Sequence, residues 1–140
     1  GVTIEQVGET QVCNWDTEMA QKAMEAMLAA NEGKIELVLA NNDGMAIGCV
    51  AALSNIGYNT GAEGAGFIPV IGVDATDAAK DAIANGTMSA TVLQDGEAMG
   101  TAIAAVCLNM AAGNDALADT EYVFDETGVA VRIPYAPYEG

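Results

Sequence analysis

The chain has 140 residues, 51% of them hydrophobic, and a formal net charge of −16 from 20 acidic and four basic side chains. This length is enough for one domain with a sizeable core, and the composition favours a globular fold over disorder. The negative charge makes nucleic acid and anionic lipid poor partners. With no histidine, the chain has no imidazole for a nucleophilic or metal site. Neither a signal peptide nor a bilayer-spanning apolar run is visible, and we expect a piece of a longer protein.

Strand and helix patterns alternate through the first half of the chain. Residues 2–7 are rich in β-formers and predict a strand. Asp16 and Thr17 offer an N-cap for a helix whose apolar residues recur at helical spacing, and Gly33 marks its end region. Residues 35–40 predict a second, mostly apolar strand. The helix after it ends near Gly57.

The second half continues the alternation. Residues 57–66 are glycine-rich and predict a surface loop, followed by a strand over 68–74. Thr76 can cap a short helix that ends at Gly86, and residues 88–94 predict a fourth strand. A long helix is predicted over 96–112, with an apolar stripe made of Met99, Ile103, Val106, Cys107 and Met110. Residues 121–124 and 129–133 predict a hairpin joined by the turn 125–128.

This order predicts an α/β fold: a mostly parallel sheet with helices on both faces, followed by a hairpin. Crossover helices between successive strands require parallel pairing. In such sheets, ligands bind beyond the carboxyl ends of the strands.

The three cysteines, Cys13, Cys49 and Cys107, are odd in number and widely spaced. Their spacing excludes a standard zinc site and a fully paired disulfide framework. Because Cys49 and Cys107 each lie in an apolar helical stripe, we predict buried, unreactive thiols.

Polar side chains follow three predicted strands at the edge where a ligand would bind. Asn41, Asn42 and Asp43 follow residues 35–40, Asp74 ends the strand 68–74, and Gln94 ends the strand 88–94. Trp15, the only tryptophan, lies in the loop before the first helix. Planar amides and carboxylates can hold vicinal hydroxyls, and an indole can cover the apolar face of a sugar ring. The set therefore predicts a sugar site.

Each of these residues also has a purely structural interpretation. Asn42 or Asp43 could cap the helix that begins there, and Asp74 could serve a helix start in the same way. Gln94 could be an ordinary exposed residue, and Trp15 could pack against the core. Outside this set, Glu36 interrupts an apolar strand and could face solvent or bind a cation.

Five segments, NWDTEMAQKAME, KIELVLANNDGMAIGCVAAL, IPVIGVDATDAA, NGTMSATVLQD and VRIPY, resemble the galactose/glucose-binding proteins of sugar ABC transport. These belong to the pentose/hexose-binding family of type I periplasmic binding proteins. The resemblance implies that residues 1–93 are the sugar-binding half of the C-terminal lobe. It implies that residues 94–131 are a crossing, a helix and a hairpin that normally contact the N-terminal lobe. Residues 132–140 would be the return crossing.

The resemblance also implies roles for single residues. Trp15 would stack on the sugar, Asn42 would bind a hydroxyl, and Asp74 would bind two. Gln94 stands where galactose/glucose binders have Asn and ribose binders commonly have Gln. By position alone, Asp43 is left to the helix start, whose positive end suits a carboxylate, and Asn41 is given no role. Glu36 matches the residue that completes a Ca²⁺ site in galactose binders, but the rest of that site would lie upstream, so Ca²⁺ is expected only in the full-length protein and no cofactor is required.

The predicted function is therefore that of a non-enzymatic, substrate-binding component of a sugar ABC transporter. Its partners would be a monosaccharide, the permease subunits, a chemoreceptor, and the missing N-terminal lobe or a swapped copy of the chain. The full protein would be periplasmic or extracellular, with a lipid anchor as one option. Two rivals stay open: the sugar-sensing effector domain of a transcription regulator, and an enzyme using Asp43 or Asp74 as a general base.

The segment 95–131 carries a prediction of its own. Its apolar stripe needs a cover, since the lobe on which it would pack is missing. We expect this segment to fold back, to exchange between copies, or to be poorly ordered.

Overall fold

Helices and strands alternate along the chain in the computed structural model, which describes residue 1 and residues 3–140. The helices are α1 (Thr17–Ala30), α2 (Asp43–Asn55), α3 (Asp77–Ala84) and α4 (Gly96–Ala111). The strands are β1 (Val38–Leu39), β2 (Val70–Asp74), β3 (Ala90–Leu93) and β4 (Ala136–Tyr138). In the described part of the chain, no helix is long and apolar enough to cross a membrane.

The four strands form one sheet in the order β1-β2-β3-β4, and β1, β2 and β3 run parallel. Val38 and Leu39 pair with Val70 and Ile71, and β2 pairs with β3 from Ile71↔Ala90 to Asp74↔Leu93. The parallel α/β architecture predicted from the sequence is therefore confirmed. The carboxyl ends of β1, β2 and β3 lie at the same edge of the sheet.

The first two predicted strands differ from the structure. The strand predicted over 2–7 is wrong for residues 3–7, which have no strand structure, and Val2 lies outside the described residues. Residues 3–6 are exposed and pair with none of the four strands. The strand predicted over 35–40 shortens to β1, since an edge strand has only one neighbour to pair with.

The helix starts follow the sequence closely because each has a side-chain cap. Asp16, Thr76 and Asp95 accept a hydrogen bond from the backbone N–H three residues ahead, and so does Asn42 for α2. Such caps satisfy N–H groups that have no partner inside the helix. α1 and α2 pack tightly, since a Cβ at Gly48 would overlap the carbonyl oxygen of Thr17.

The structure divides into two compact units. Unit 1 comprises residues 1–93 and 137–140, and unit 2 comprises residues 94–136. Unit 1 contains a hydrophobic cluster of buried side chains from α1, α2, β2 and α3, including Met24, Leu53 and Val70.

Unit 2 consists of α4 and an irregular segment. The predicted hairpin is reduced to one antiparallel bridge, Phe124↔Val131, with a turn in which Gly128 N–H donates to the Asp125 carbonyl. Cys13 and Cys49 are buried as predicted, but the prediction of a buried Cys107 is wrong, because Cys107 is exposed on α4. Helical spacing showed that Cys107 shares a stripe with apolar residues, and it could not show whether anything covers that stripe.

Candidate functional site

In unit 1, the candidate site lies at the carboxyl edge of the sheet. Asp74 is the last residue of β2, and Asn42 stands between β1 and α2. Trp15 precedes α1, and Thr17 at the start of α1 contacts the start of α2. A Cβ built on Gly44 would lie 3.3 Å from Thr17 Oγ1 and 3.6 Å from Asn42 Nδ2. The structure thus gathers the loops that carry Trp15, Asn42 and Asp74 at one edge.

Asn42 is the N-cap of α2. Its Oδ1 accepts a hydrogen bond from Met45 N–H at 2.8 Å, and its backbone is extended, with φ −152°. The capping interpretation therefore holds for Asn42 and not for Asp43. In the part of the chain that the structure describes, Asn42 Nδ2 donates no hydrogen bond, so one donor stays available to a ligand.

Asp74 closes β2 in a strained conformation. Its φ is +113°, and that of Ala75 is +53°, both in the region that residues with a side chain rarely adopt. Each such residue costs about 1–3 kcal/mol and persists only where its surroundings impose it. The Asp74 carboxylate accepts no hydrogen bond from the described side chains or backbone. Burial first, and the nearby Asp43 charge second, raise the pKa of the Asp74 carboxyl above its ordinary value.

Trp15 projects from a tight turn. Asp16 N–H donates to the Cys13 carbonyl at 2.8 Å, and Asn14 and Trp15 between them have φ of +49° and +64°. Cys13 is buried on one side of the turn, and Asp16 caps α1 on the other. The Trp15 side chain is 67% exposed, so the structure does not bear out its alternative role in core packing. An exposed indole held by two anchored residues can offer its face to an apolar surface.

Gln94 belongs to unit 2, where it is exposed. Its Nε2 donates to the Tyr135 hydroxyl at 2.9 Å, which leaves its Oε1 as an acceptor. The hollow beside it has a volume of about 190 Å³. This is below the roughly 300–1,000 Å³ of ordinary ligand pockets, so Gln94 and its neighbours in unit 2 do not form such a pocket by themselves.

Glu36 is exposed, in keeping with its solvent-facing interpretation. Among the described residues, no group of three or more His, Cys, Asp or Glu side chains could hold a metal ion. The Ca²⁺ site implied for Glu36 therefore stays a prediction for a longer protein.

Sequence reasoning missed the buried network behind Asp74. Asp43 and Thr91 are both at most 1% exposed, and they are hydrogen-bonded to each other at 2.6 Å. Asp43 opens α2 as predicted, but its carboxylate reaches Thr76 and Thr91 instead of its own helix. Two signals were present: a threonine inside an apolar strand, and Gly72 inside β2, where a glycine often marks a close approach.

The chain is similar in sequence to proteins of a known family. Residues 1–115 match the family described as periplasmic binding protein domain. The chain is 35% identical over 122 residues to the D-galactose/methyl-galactoside binding periplasmic protein of Haemophilus influenzae, covering 86% of this chain and 34% of the relative. It is 35% identical over 117 residues to the D-xylose-binding periplasmic protein of Escherichia coli, covering 84% of this chain and 34% of the relative.

Solved structures agree in fold. An ABC transporter solute binding protein from Bacillus halodurans with bound myo-inositol has a TM-score of 0.69 and 31% identity, over 89% of this chain and 37% of that one. One from Actinobacillus succinogenes with bound D-allose has a TM-score of 0.71 and 26% identity, over 92% of this chain and 40% of that one. These relatives are solute-binding proteins and not enzymes. The chain spans about a third of the length of the curated relatives it matches, and it belongs to the periplasmic binding protein domain family.

Proposed function

We propose that this chain is part of the sugar-binding component of an ABC transporter and binds a monosaccharide at the edge that carries Trp15, Asn42 and Asp74. The observation that carries the proposal is Asp74, a carboxylate at a strained strand end that accepts no hydrogen bond from the described residues. Both of its oxygens are free to accept from two neighbouring hydroxyls, and a hydrogen bond to a carboxylate is stronger than one to a neutral acceptor.

The other residues complete the chemistry of the site. The free Asn42 Nδ2 can donate to a hydroxyl, and the exposed Trp15 indole can cover the apolar face of a pyranose. Gln94 stays a predicted sugar contact, and within unit 2 its Oε1 is a free acceptor. The four residues act by binding alone, so no catalytic residue is required.

Galactose or glucose is the proposed sugar. Two relatives are named for galactose or xylose, and two similar solved structures hold myo-inositol or D-allose. All four compounds are rings with vicinal hydroxyls. Trp15 in the segment NWDT favours a hexose by its resemblance to galactose/glucose binders, whereas Gln94 departs from that pattern. In the whole protein, sugar would close two lobes, and the closed form would be recognised by permease subunits or a chemoreceptor in the periplasm or outside the cell.

A titration followed by tryptophan fluorescence tests the proposal, since Trp15 is the only tryptophan in the chain. We expect saturable changes with galactose and glucose and none with leucine. The dissociation constant should lie in the millimolar range or weaker, roughly, because the chain supplies only part of a site enclosed by two lobes. No saturable response to galactose, glucose, xylose, myo-inositol or allose contradicts the proposal.

A matched pair of variants assigns the binding to Asp74. Asp74→Asn removes the negative charge from the side chain that is proposed to bind the sugar. It should weaken sugar binding by about 10- to 100-fold, because a hydrogen bond to a charged group contributes about 1.5–3 kcal/mol. Asp77→Asn makes the same change on an exposed residue of α3 and should leave the affinity unchanged. Equal losses in the two variants would show that net charge, and not Asp74, governs binding.

A further inference from the structure

The Asp43 carboxylate is completely buried and satisfied by three donors. Its Oδ2 accepts from Thr76 N–H at 2.7 Å and from Thr76 Oγ1–H at 3.1 Å, and its Oδ1 accepts from Thr91 Oγ1–H at 2.6 Å. With no exposed surface, Asp43 cannot touch a ligand. Its effect on binding must therefore pass through the groups that it holds.

These groups are the backbone directly behind Asp74. Thr76 N–H bonds Asp43 directly, and Ala75 N–H donates to Thr91 Oγ1 at 3.3 Å, which in turn donates to Asp43. The two peptide N–H groups that follow Asp74 are thus both connected to one carboxylate. They belong to the turn in which Asp74 and Ala75 have positive φ.

The chain also leaves room for this carboxylate. A Cβ at Gly72 would overlap Asp43 Oδ1 and would lie 2.9 Å from Met88 Cε and 3.2 Å from the Ala46 Cβ. Only glycine at this position lets the carboxylate reach from α2 across β2 to Thr91 on β3. The network therefore connects three elements of unit 1 at the edge of the sheet.

We infer that Asp43 is a positioning residue, which holds the strained turn of Asp74 and Ala75 through Thr76 and Thr91 and so aims the Asp74 carboxylate at the ligand. The inference rests on the proposed function for its effect on sugar binding. Its structural part, the hold on the turn, is measurable without any sugar. A carboxylate suits this role because it accepts from all three donors, whereas an amide can accept on one atom only.

Three variants test the inference in the 140-residue chain. Thr91→Val keeps the shape of the side chain and removes both hydrogen bonds of its hydroxyl, and Asp43→Asn replaces an accepting oxygen by a donating nitrogen. The matched control is Thr87→Val, which removes a half-buried hydroxyl bonded to the Ala82 carbonyl, away from the turn. Affinities for galactose and glucose are measured by calorimetry, and the backbone NMR signals of residues 74 and 75, which report φ, are measured without sugar.

We expect Thr91→Val and Asp43→Asn each to weaken sugar binding by about tenfold or more and to shift the signals of residues 74 and 75. Thr87→Val should change the affinity by less than about twofold and leave those signals in place. If Asp43→Asn does not fold, Thr91→Val carries the comparison. The pKa of Asp74 is a second measurement that distinguishes the two variants. It should fall in Asp43→Asn, because that variant loses the neighbouring charge, and it should stay raised in Thr91→Val.

Three results would overturn the inference: wild-type signals of residues 74 and 75 in both variants, wild-type affinity despite shifted signals, or a loss of affinity equal to that in Thr87→Val. Failure of the proposed function looks different, because the wild-type chain then binds no sugar. In that case the signals of residues 74 and 75 alone decide whether Asp43 holds the turn.

Discussion

The two units differ in how far their apolar helices are buried. In unit 1, α2 is surrounded, and Ala46, Ala52 and Leu53 have no exposed surface. In unit 2, α4 also has an apolar stripe, but Ala102 is its one buried residue among those described, and Ile103 and Met110 are each 64% exposed. The comparison shows that an amphipathic pattern builds a helix, whereas a core also needs a facing element.

This difference bears on the segment 95–131. α4 is formed, and among the described residues its Ile103, Cys107 and Met110 are exposed. That the segment folds back stays a prediction. Exchange between copies stays a prediction for the molecule in solution. Contact with an N-terminal lobe likewise stays a prediction.

The largest expected difference between the units is in stability. Leu53→Ala should lower the free energy of unfolding by about 2–5 kcal/mol, because Leu53 is fully buried and its removal leaves a cavity. The same change at Leu108, which is 72% exposed on α4, should cost less than about 0.5 kcal/mol. Urea unfolding followed by circular dichroism measures both. A large loss in Leu108→Ala would show that α4 is covered in solution.

The second-largest expected difference between the units is in the reactivity of their cysteine thiols. Cys107 is exposed, whereas Cys13 and Cys49 are buried, and burial first, then the neighbouring Cys13, raises the pKa of Cys49 to about 11. With an aromatic disulfide reagent at neutral pH, we expect one thiol to react on the order of 100-fold faster than the other two, which need local opening. Cys107→Ser should abolish the fast phase, and three fast thiols in the native chain would contradict the burial.

Glycine-to-alanine changes should have opposite signs in the two units. Gly72→Ala should destabilise unit 1 by about 1–3 kcal/mol, because its methyl group would collide with Asp43. Gly100→Ala on α4 meets open space and should stabilise that helix by about 0.5–1 kcal/mol, since alanine favours helices. Thermal unfolding of the two variants compares them. A stable Gly72→Ala variant would mean that Asp43 can adopt another position.

The smallest effect concerns two aspartates. Folding raises the pKa of Asp74, so the penalty on its carboxylate is present at neutral pH and is relieved as pH falls through the folded-state pKa. The Thr127 hydroxyl first, and Arg132 as well, lower the pKa of Asp125, so its stabilising contribution is lost as pH falls through its folded-state pKa.

Carboxyl NMR titrations should place Asp74 above, and Asp125 below, the ordinary aspartate value of 3.8. Thr127→Val should raise the pKa of Asp125 and leave that of Asp74 unchanged. Two aspartates that titrate on the same side of the ordinary value would contradict the contrast between the units.

Local chemistry in the sequence determined the helices and their starts. Asp16, Thr76 and Asp95 are capping residues by type and position, and the predicted helix 96–112 is observed as Gly96–Ala111. Caps and helical spacing act within a few residues, so the sequence contains the whole interaction. The order of elements likewise determined the parallel sheet, since crossover helices permit no other pairing.

Sheet edges and buried polar partners were decided by the tertiary structure. The strand predicted over 2–7 and the full length of 35–40 depended on neighbours that the sequence does not name. The predicted surface loop 57–66 is anchored by Asn59. The buried side-chain amide of Asn59 forms hydrogen bonds with the backbone of Ile68 and Thr87.

In the candidate site, too, some features are visible in the sequence and others only in the tertiary structure. The sequence alone made Trp15, Asn42, Asp74 and Gln94 candidates, by residue type and by their places beside strand ends and helix starts, and their role in binding stays a prediction. It could not show that Asn42 caps α2 or that Asp43 reaches Thr91, 48 residues away. A short polar side chain can bond its own helix or a distant strand, and only the packing of α2 against β2 and β3 decides which partner lies within reach.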